Sequence, residues 1–229
     1  MSKKNGKDYL YLIWKSTSEH RQYIVGQLTK NGKFEFCYGI QIEDAMSAGF
    51  KPLVSFPDIT KTYYSECLFP AFSSRLPDKK RPDIVTILER YDLKEYDEYN
   101  LLKKSGARLP IDTLEFIDPV FDVDEPFSRR FFIAGPRHYM SCKGDECKSR
   151  GIITRGDELF LERDLNNSYD KYAVRIVNKD RELLGFVPRY YSEAVAGIID
   201  AHKNYHCYVW MVSNEEICDE CIKVELNVA

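Results

Sequence analysis

No apolar run in this 229-residue chain approaches the ~20 residues needed to cross a bilayer. Residues 1–7 are polar and lack the apolar core of a secretory leader, so the chain reads as cytoplasmic, without a membrane partner. Neither sign of charge is in excess. A formal net charge of −3 argues against coating duplex DNA, which takes many phosphate contacts. Histidine is scarce, with four residues at positions 20, 138, 202 and 206, and nothing pairs one with a cysteine as a nucleophile. The motifs G-x-x-x-x-G-K-[ST], H-E-x-x-H and G-x-S-x-G are all missing. The expectation is a non-enzymatic protein without a cofactor or resident metal.

One segment superficially resembles catalytic machinery. Arg163-Asp164-Leu165 looks like a kinase catalytic loop, which needs His before the Arg and Asn five residues after the Asp. Those places hold Glu162 and Tyr169, so the match fails.

What the chain does have is an apolar share of 44%, with 16 Tyr and 13 Phe, enough to build one large or two small cores. Its charge is uneven. Residues 128–156 carry seven Arg/Lys against two acids, and residues 92–125 carry ten acids against four bases. That is one basic patch on an acidic protein, although such runs are also common on solvated faces. Seven cysteines without a secretory leader imply reduced thiols. Cys142-x4-Cys147 and Cys218-x2-Cys221 could together supply four zinc thiolates, and ordinary free thiols are the alternative. Cys37, Cys67 and Cys207 lie among apolar residues and are expected in the core.

The most legible stretch is residues 156–199. Leu159 and Leu161 share one face of a period-2 run with Phe160 and Glu162 on the other. Residues 164–168 have turn composition, residues 172–177 are extended, and residues 183–188 read Leu-Leu-Gly-Phe-Val-Pro. Ser192 is placed to cap a helix with Val195, Ile198, Ile199 and His202 on one stripe, which makes His202 a core or boundary residue. Residues 205–212 form a long strand, and residues 222–228 alternate cleanly as a closing one.

In the N-terminal half, residues 9–14 suit a strand, and residues 23–28 and 34–38 flank Asn31-Gly32, a strong hairpin signal. Residues 40–48 suit a short helix ending at Gly49. Residues 50–60 are broken by Pro52 and Pro57. The aromatic-dense residues 63–72 are either core or an interface. Pro82 fits a first helical position, ahead of the stripe Ile84, Ile87, Leu88 and Tyr91. Asp97 starts a helix that Gly106 ends. The acidic, proline-bounded stretch 119–127 divides an α+β domain at 8–118 from a β-barrel domain at 128–229.

Three segments carry a resemblance to a known family: Phe-Ile-Ala-Gly-Pro-Arg-His-Tyr at 132–139, the run 161–176 with its Asn-x-Tyr-Asp-x-x-Ala-Val core, and Leu-Gly-Phe-Val-Pro-Arg at 184–189. Together they resemble the HIRAN domain, a small module found in some DNA-remodelling helicase proteins and in bacterial chains. The resemblance implies an OB-like β-barrel with one or two helices. It also implies recognition of single-stranded DNA at a free 3′ end. Carried over motif by motif, Arg137, His138, Tyr169, Asp170 and Arg189 fall at the family's DNA-contacting places, with His138 and Phe186 departing in residue type. Tyr139, Lys171 and Phe186 complete the set of stacking rings and cations that a single-strand groove requires. The alternative is that Tyr169 and Asp170 only brace their loop.

The N-terminal half is similar, more loosely, to the small N-terminal subdomain of HipA-type kinase toxins. The residues concerned are Leu68-Phe69-Pro70-x-Phe72, Arg75-Leu76-Pro77 and Leu101-Leu102-x3-Gly106. No kinase core accompanies it. That likeness implies an interaction module restraining a HipA-type kinase in a toxin–antitoxin system, as an alternative or companion to DNA binding. A metal-dependent or nuclease-type enzyme is the third reading.

Overall fold

Asn31-Gly32 turns the chain where the sequence signal places it. The computed structural model describes residues 8–18, 21–39, 41–120, 124–140, 153–213 and 221–229. The chain divides into two compact units after Pro119.

In the first unit β2 (Gln22–Asn31) and β3 (Lys33–Tyr38) pair antiparallel across Gly32, with Asn31 opposite Lys33. With β1 (Asp8–Lys15), β4 (Tyr63–Ser65) and β5 (Leu114–Ile117) they make an antiparallel sheet in the order β4-β3-β2-β1-β5. Its helices are α1 (Ile42–Ser47), α2 (Pro70–Ser73), α3 (Ile84–Arg90) and α4 (Glu98–Ser105). α4 begins as read: the Asp97 carboxylate accepts from the Asn100 N–H at 2.6 Å, and Gly106 closes it in the left-handed conformation. α3 starts two residues later than Pro82 suggests. A turn in which the Ile84 N–H reaches the Arg81 carbonyl precedes it.

The aromatic-dense segment 63–72 is core. The Phe72 ring lies 5.1 Å from Phe36, 5.2 Å from Phe56 and 5.0 Å from Phe116, all four buried to 2% exposure or less. Burying each such side chain contributes about 1.5–3 kcal/mol. Tyr64 alone of the run's rings points out, at 64% exposed.

Arg75 opens a stretch with four Arg/Lys over residues 75–81, yet its guanidinium is 7% exposed. Nη1 and Nη2 donate to the two Asp112 oxygens at 2.6 and 2.9 Å, Nε donates to the Ala107 carbonyl, and Nη2 also donates to the Leu114 carbonyl. One side chain thus ties α2 to the strand entering β5. A second buried pair holds the other end of β5. Lys103 of α4, 6% exposed, reaches Asp8 at 2.9 Å and Asp118 at 3.4 Å.

The second unit holds β6 (Phe127–Phe132), α5 (Pro136–Tyr139), β7 (Glu158–Arg163), β8 (Val174–Val177), β9 (Leu183–Phe186), α6 (Arg189–Asp200), β10 (Tyr205–Val212) and β11 (Ile222–Val228). Strand order is β6-β11-β10-β7-β8-β9, every pairing antiparallel. The two ends of that order meet. Ala134 and Phe186 exchange N–H···O bonds of 2.8 and 3.0 Å, so the sheet curls into the OB-like barrel that the sequence implies. The α+β class holds throughout.

Three readings need correction. Ser192 does not cap α6: the helix starts at Arg189 behind Pro188, and Ser192 is buried inside it, its hydroxyl donating to the Arg189 carbonyl at 3.0 Å. His202 is exposed, not core. It takes φ +53 just past α6, where the Lys203 N–H bonds back to the Ile198 carbonyl, the left-handed stop usually given to glycine. Cys67 is exposed and Cys37 half-buried, leaving Cys207 as the core thiol of the three.

No helix among the described residues is long and apolar enough to cross a membrane.

Removing the buried Arg75 charge leaves Asp112 uncompensated, a loss on the order of 3 kcal/mol. Arg75→Met is expected to destabilise the N-terminal unit by that amount in urea unfolding, with amide exchange rising there and not in the barrel. Burial opposes ionisation of Asp112, but the Arg75 hydrogen bonds and the Leu114 N–H outweigh it and hold the carboxyl below its ordinary value. A depressed folded-state pKa gives stability that is present above the unfolded value and lost as pH falls through the folded one. The wild-type unit should therefore weaken as pH drops below about 4, and Arg75→Met should flatten that dependence.

Candidate nucleic-acid interface

The loop joining β7 to β8 is fixed by its own polar side chains. The Asp164 N–H donates to the Ala173 carbonyl at 2.9 Å, closing its neck. Asn167 Oδ1 accepts from the Tyr169 and Asp170 N–H groups at 3.0 and 3.1 Å. Asp170 Oδ1 accepts from the Tyr172 N–H at 2.9 Å, and the Asp170 carbonyl from the Ala173 N–H. These bonds occupy the backbone of Tyr172 and Ala173, so β8 starts at Val174 and not at Tyr172. Arg163 reaches under the loop to the Lys171 and Ala173 carbonyls while its Nε holds Asp200 of α6.

On this pinned backbone the Tyr169 ring stands 90% exposed. Asp170 does brace the loop, but through one oxygen. Oδ2 has no hydrogen-bond donor among the described residues. Lys171 is exposed, its ammonium 4.6 Å from the Tyr172 ring centre.

The second group is built around the barrel seam. Gly185 sits where a Cβ would lie 2.4 Å from Ile133 Cγ2 and 2.6 Å from the Ala134 carbonyl oxygen. Only glycine lets β9 approach that closely. One residue on, Phe186 faces outward opposite Arg175 of β8. The chain leaves the seam through Gly135, at φ +69, into the single turn of α5. That turn sets Tyr139 against Phe186, ring centres 5.6 Å apart, and His138 beside Tyr139 at 6.4 Å. Arg137 Nε donates to His138 Nε2 at 3.3 Å. Arg189 is exposed at the start of α6, three residues past Phe186.

Arg137, His138, Tyr139 and Phe186 thus form one contact group. Tyr169, Asp170 and Lys171 belong to the neighbouring loop, and the strand pairs connect the two. Val174, where that loop ends, accepts from the Val187 N–H at 2.9 Å, while Phe186 bonds Ala134 on its other side. Both groups border the same end of β9. Tyr169 projects into solvent and does not pack on the Tyr139–Phe186 pair. Sequence reading missed Arg163, whose polar reach under the loop no local pattern signals, and Arg175, which β-alternation places on the outer face only once its register with Phe186 is known.

Cys207 is a core thiol, not a nucleophile poised at this surface. Burial pushes Cys207 up to about 12, so it stays protonated at neutral pH. Of the four suggested zinc ligands, Cys142, Cys147 and Cys218 lie outside the described residues, as do Lys143, Lys148 and Arg150 of the basic stretch. Cys221 is buried.

Gly185→Ala should open the seam. The expected result is a loss of about 3 kcal/mol, as for overpacking with strain, with faster amide exchange at Ala134 and Phe186. Unchanged stability and exchange would show that the seam tolerates the methyl.

Nothing among curated proteins matches the chain. Two solved structures resemble part of it. The HIRAN domain of human HLTF shares 22% identity, with 44% of this chain and 74% of that one covered, at a TM-score of 0.36. A protein from Lactobacillus plantarum shares 16% identity, with 45% of this chain and 97% of that one covered, at a TM-score of 0.35. The matched family residues leave the N-terminal half uncovered, and its likeness to the HipA-type subdomain gains no support from them. The HIRAN domain family matches residues 127–228, a span that holds every strand of the barrel with α5 and α6, and the chain carries a HIRAN domain there.

Proposed function

We propose that the barrel is a nucleic-acid-binding module that captures the free 3′ end of single-stranded DNA without cutting it. The observation that carries this reading is the Tyr169–Asp170 corner. A loop with nearly all its hydrogen bonds satisfied holds an aromatic ring in water, beside a carboxylate that keeps one oxygen for an outside donor. Ordering such a ring before the ligand arrives removes part of the entropic cost of binding. Base stacking on an aromatic ring contributes about 1–3 kcal/mol, and the Tyr139–Phe186 pair offers a second such surface.

A terminal 3′-hydroxyl is the donor that suits Asp170 Oδ2. An internal nucleotide has an ester there and cannot donate, which is how one carboxylate would discriminate an end from a body. Arg137, Lys171 and Arg189 supply phosphate contacts. With about three phosphates neutralised, log K should fall against log salt with a slope near −2, well short of a duplex-coating protein.

Fluorescence anisotropy with strands carrying a 3′-hydroxyl or a 3′-phosphate tests this. The hydroxyl strand should bind more tightly. Tyr169→Ala should weaken it by about tenfold or more, within the stacking range. Asp170→Asn keeps an acceptor for the Tyr172 N–H but turns an NH₂ toward the ligand, so it should abolish the preference for the free end. Equal, negligible binding of both strands would defeat the proposal.

A further inference from the structure

Beyond the end-binding corner, the outer surface of the barrel carries a second row of rings and cations. Lys223 of β11 stands opposite Phe132 of β6 and Met211 of β10. The register slips between Val209 and Met211, so Trp210 is the extra residue of a bulge, a device that re-aims a side chain. Trp210 is thereby brought under Arg130, at 4.8 Å, and Lys223, at 5.7 Å, with Lys223 also 5.0 Å from the Phe132 ring. Glu225 is 7% exposed and sits beneath Arg130 at 2.6 Å, while the exposed Glu158 of β7 stands further along, opposite Tyr208. Around Trp210, solvent therefore meets cations and ring edges, not the Glu225 carboxylate.

This row is continuous with the first site. Phe132 and Ala134 alternate onto the same outer surface while Ile133 between them is 1% exposed. Ala134 is the seam partner of Phe186. Among the described residues, Ala134 stands between the Trp210–Lys223–Phe132 group and the Phe186–Tyr139 pair.

We infer that the body of the captured strand, on the 5′ side of its end, lies along this row, stacking a base on Trp210 and giving its phosphates to Lys223 and Arg130. The inference rests on the end-capture reading. The chemistry suits a phosphate-bearing strand, because a base that stacks on Trp210 displaces a cation from the ring and its own phosphate takes that cation up. A duplex offers no unstacked base to make the exchange.

The test uses the full chain with Trp14→Phe, which leaves Trp210 as the sole tryptophan of the two. Strands of about five and about fifteen nucleotides with the same free 3′ end lie near the two ends of the ~4–16 nucleotides that an OB-type fold covers. The longer strand should bind about tenfold more tightly and quench Trp210 emission, and the shorter should bind without quenching. Lys223→Glu and Trp210→Ala should erase the gain from length and leave the short strand's affinity unchanged. Lys223 is the check should Trp210→Ala fail to fold. Length-independent affinity with unaltered Trp210 emission, while the short strand still binds, would overturn this inference and leave end capture standing. Quenching by poly-glutamate but not by the long strand would reassign the row to an acidic protein partner and overturn it likewise. No binding at either length would remove end capture and this inference together.

Discussion

The seam between Ala134 and Phe186 is the constraint on which the barrel and its site both depend. Two hydrogen bonds there join the first and last strands of a six-strand order, and an open sheet with those edges unpaired would expose two ladders of backbone groups. The seam closes because Gly185 has no side chain. Its position also decides what the surface presents. Of the two residues that close the sheet, Phe186 presents its ring on that surface and Ala134 leads through Gly135 into the turn carrying Arg137, His138 and Tyr139. A fold requirement and a candidate binding surface therefore share the motifs Phe-Ile-Ala-Gly-Pro-Arg-His-Tyr and Leu-Gly-Phe-Val-Pro-Arg, which is why those two segments are recognisable as a pair.

The two units use charge in different ways. In the first, Arg75 and Lys103 are turned inward onto Asp112, Asp8 and Asp118. Each of those cations fixes β5 to the body of the unit, and each is spent structurally. In the barrel, Arg130 and Glu225 pair at the surface. Burial works against the Glu225 charge, but Arg130, with the Tyr208 and Ser128 hydroxyls, holds its carboxyl below the ordinary value. Glu225 thus stays ionised at neutral pH and anchors Arg130 over Trp210. The basic count along the chain does not distinguish these uses, since Arg75 heads a basic stretch and is the most deeply committed arginine there.

Local signals were legible in the sequence and long-range ones were not. Asn31-Gly32, Asp97 with Gly106, and the alternation over residues 205–212 and 222–228 each encode their element within a few residues, and each element forms there. Pro188 closes the run Leu-Leu-Gly-Phe-Val-Pro. It is also the residue before α6, and a fixed φ near −55 lets the helix begin at once, which displaces Ser192 from the cap into the interior. His202 was misread because the apolar stripe continues in sequence past the point where the helix stops. The register slip at Trp210 had no marker such as glycine. It follows from pairing with β11, which a single strand's pattern cannot reveal. The seam itself links residues 52 positions apart in sequence, Ala134 and Phe186, and only the resemblance to a family hinted that they belong together.

A chain with net charge −3 can still attract an anionic strand, because at physiological salt a charge acts over about 8 Å. What a phosphate senses is its near surroundings, and on the barrel these are Arg137, Lys171, Arg189, Lys223 and Arg130. The same screening sets an upper limit. A handful of cations cannot hold duplex DNA against salt, so affinity has to come from stacking, and stacking needs unpaired bases. Unpaired bases occur at ends and gaps, and on the proposed reading the Tyr169–Asp170 corner receives a terminus that stacks and donates at once. Scarcity of positive charge, which argues against coating duplex DNA, is thus compatible with the proposed single-strand role.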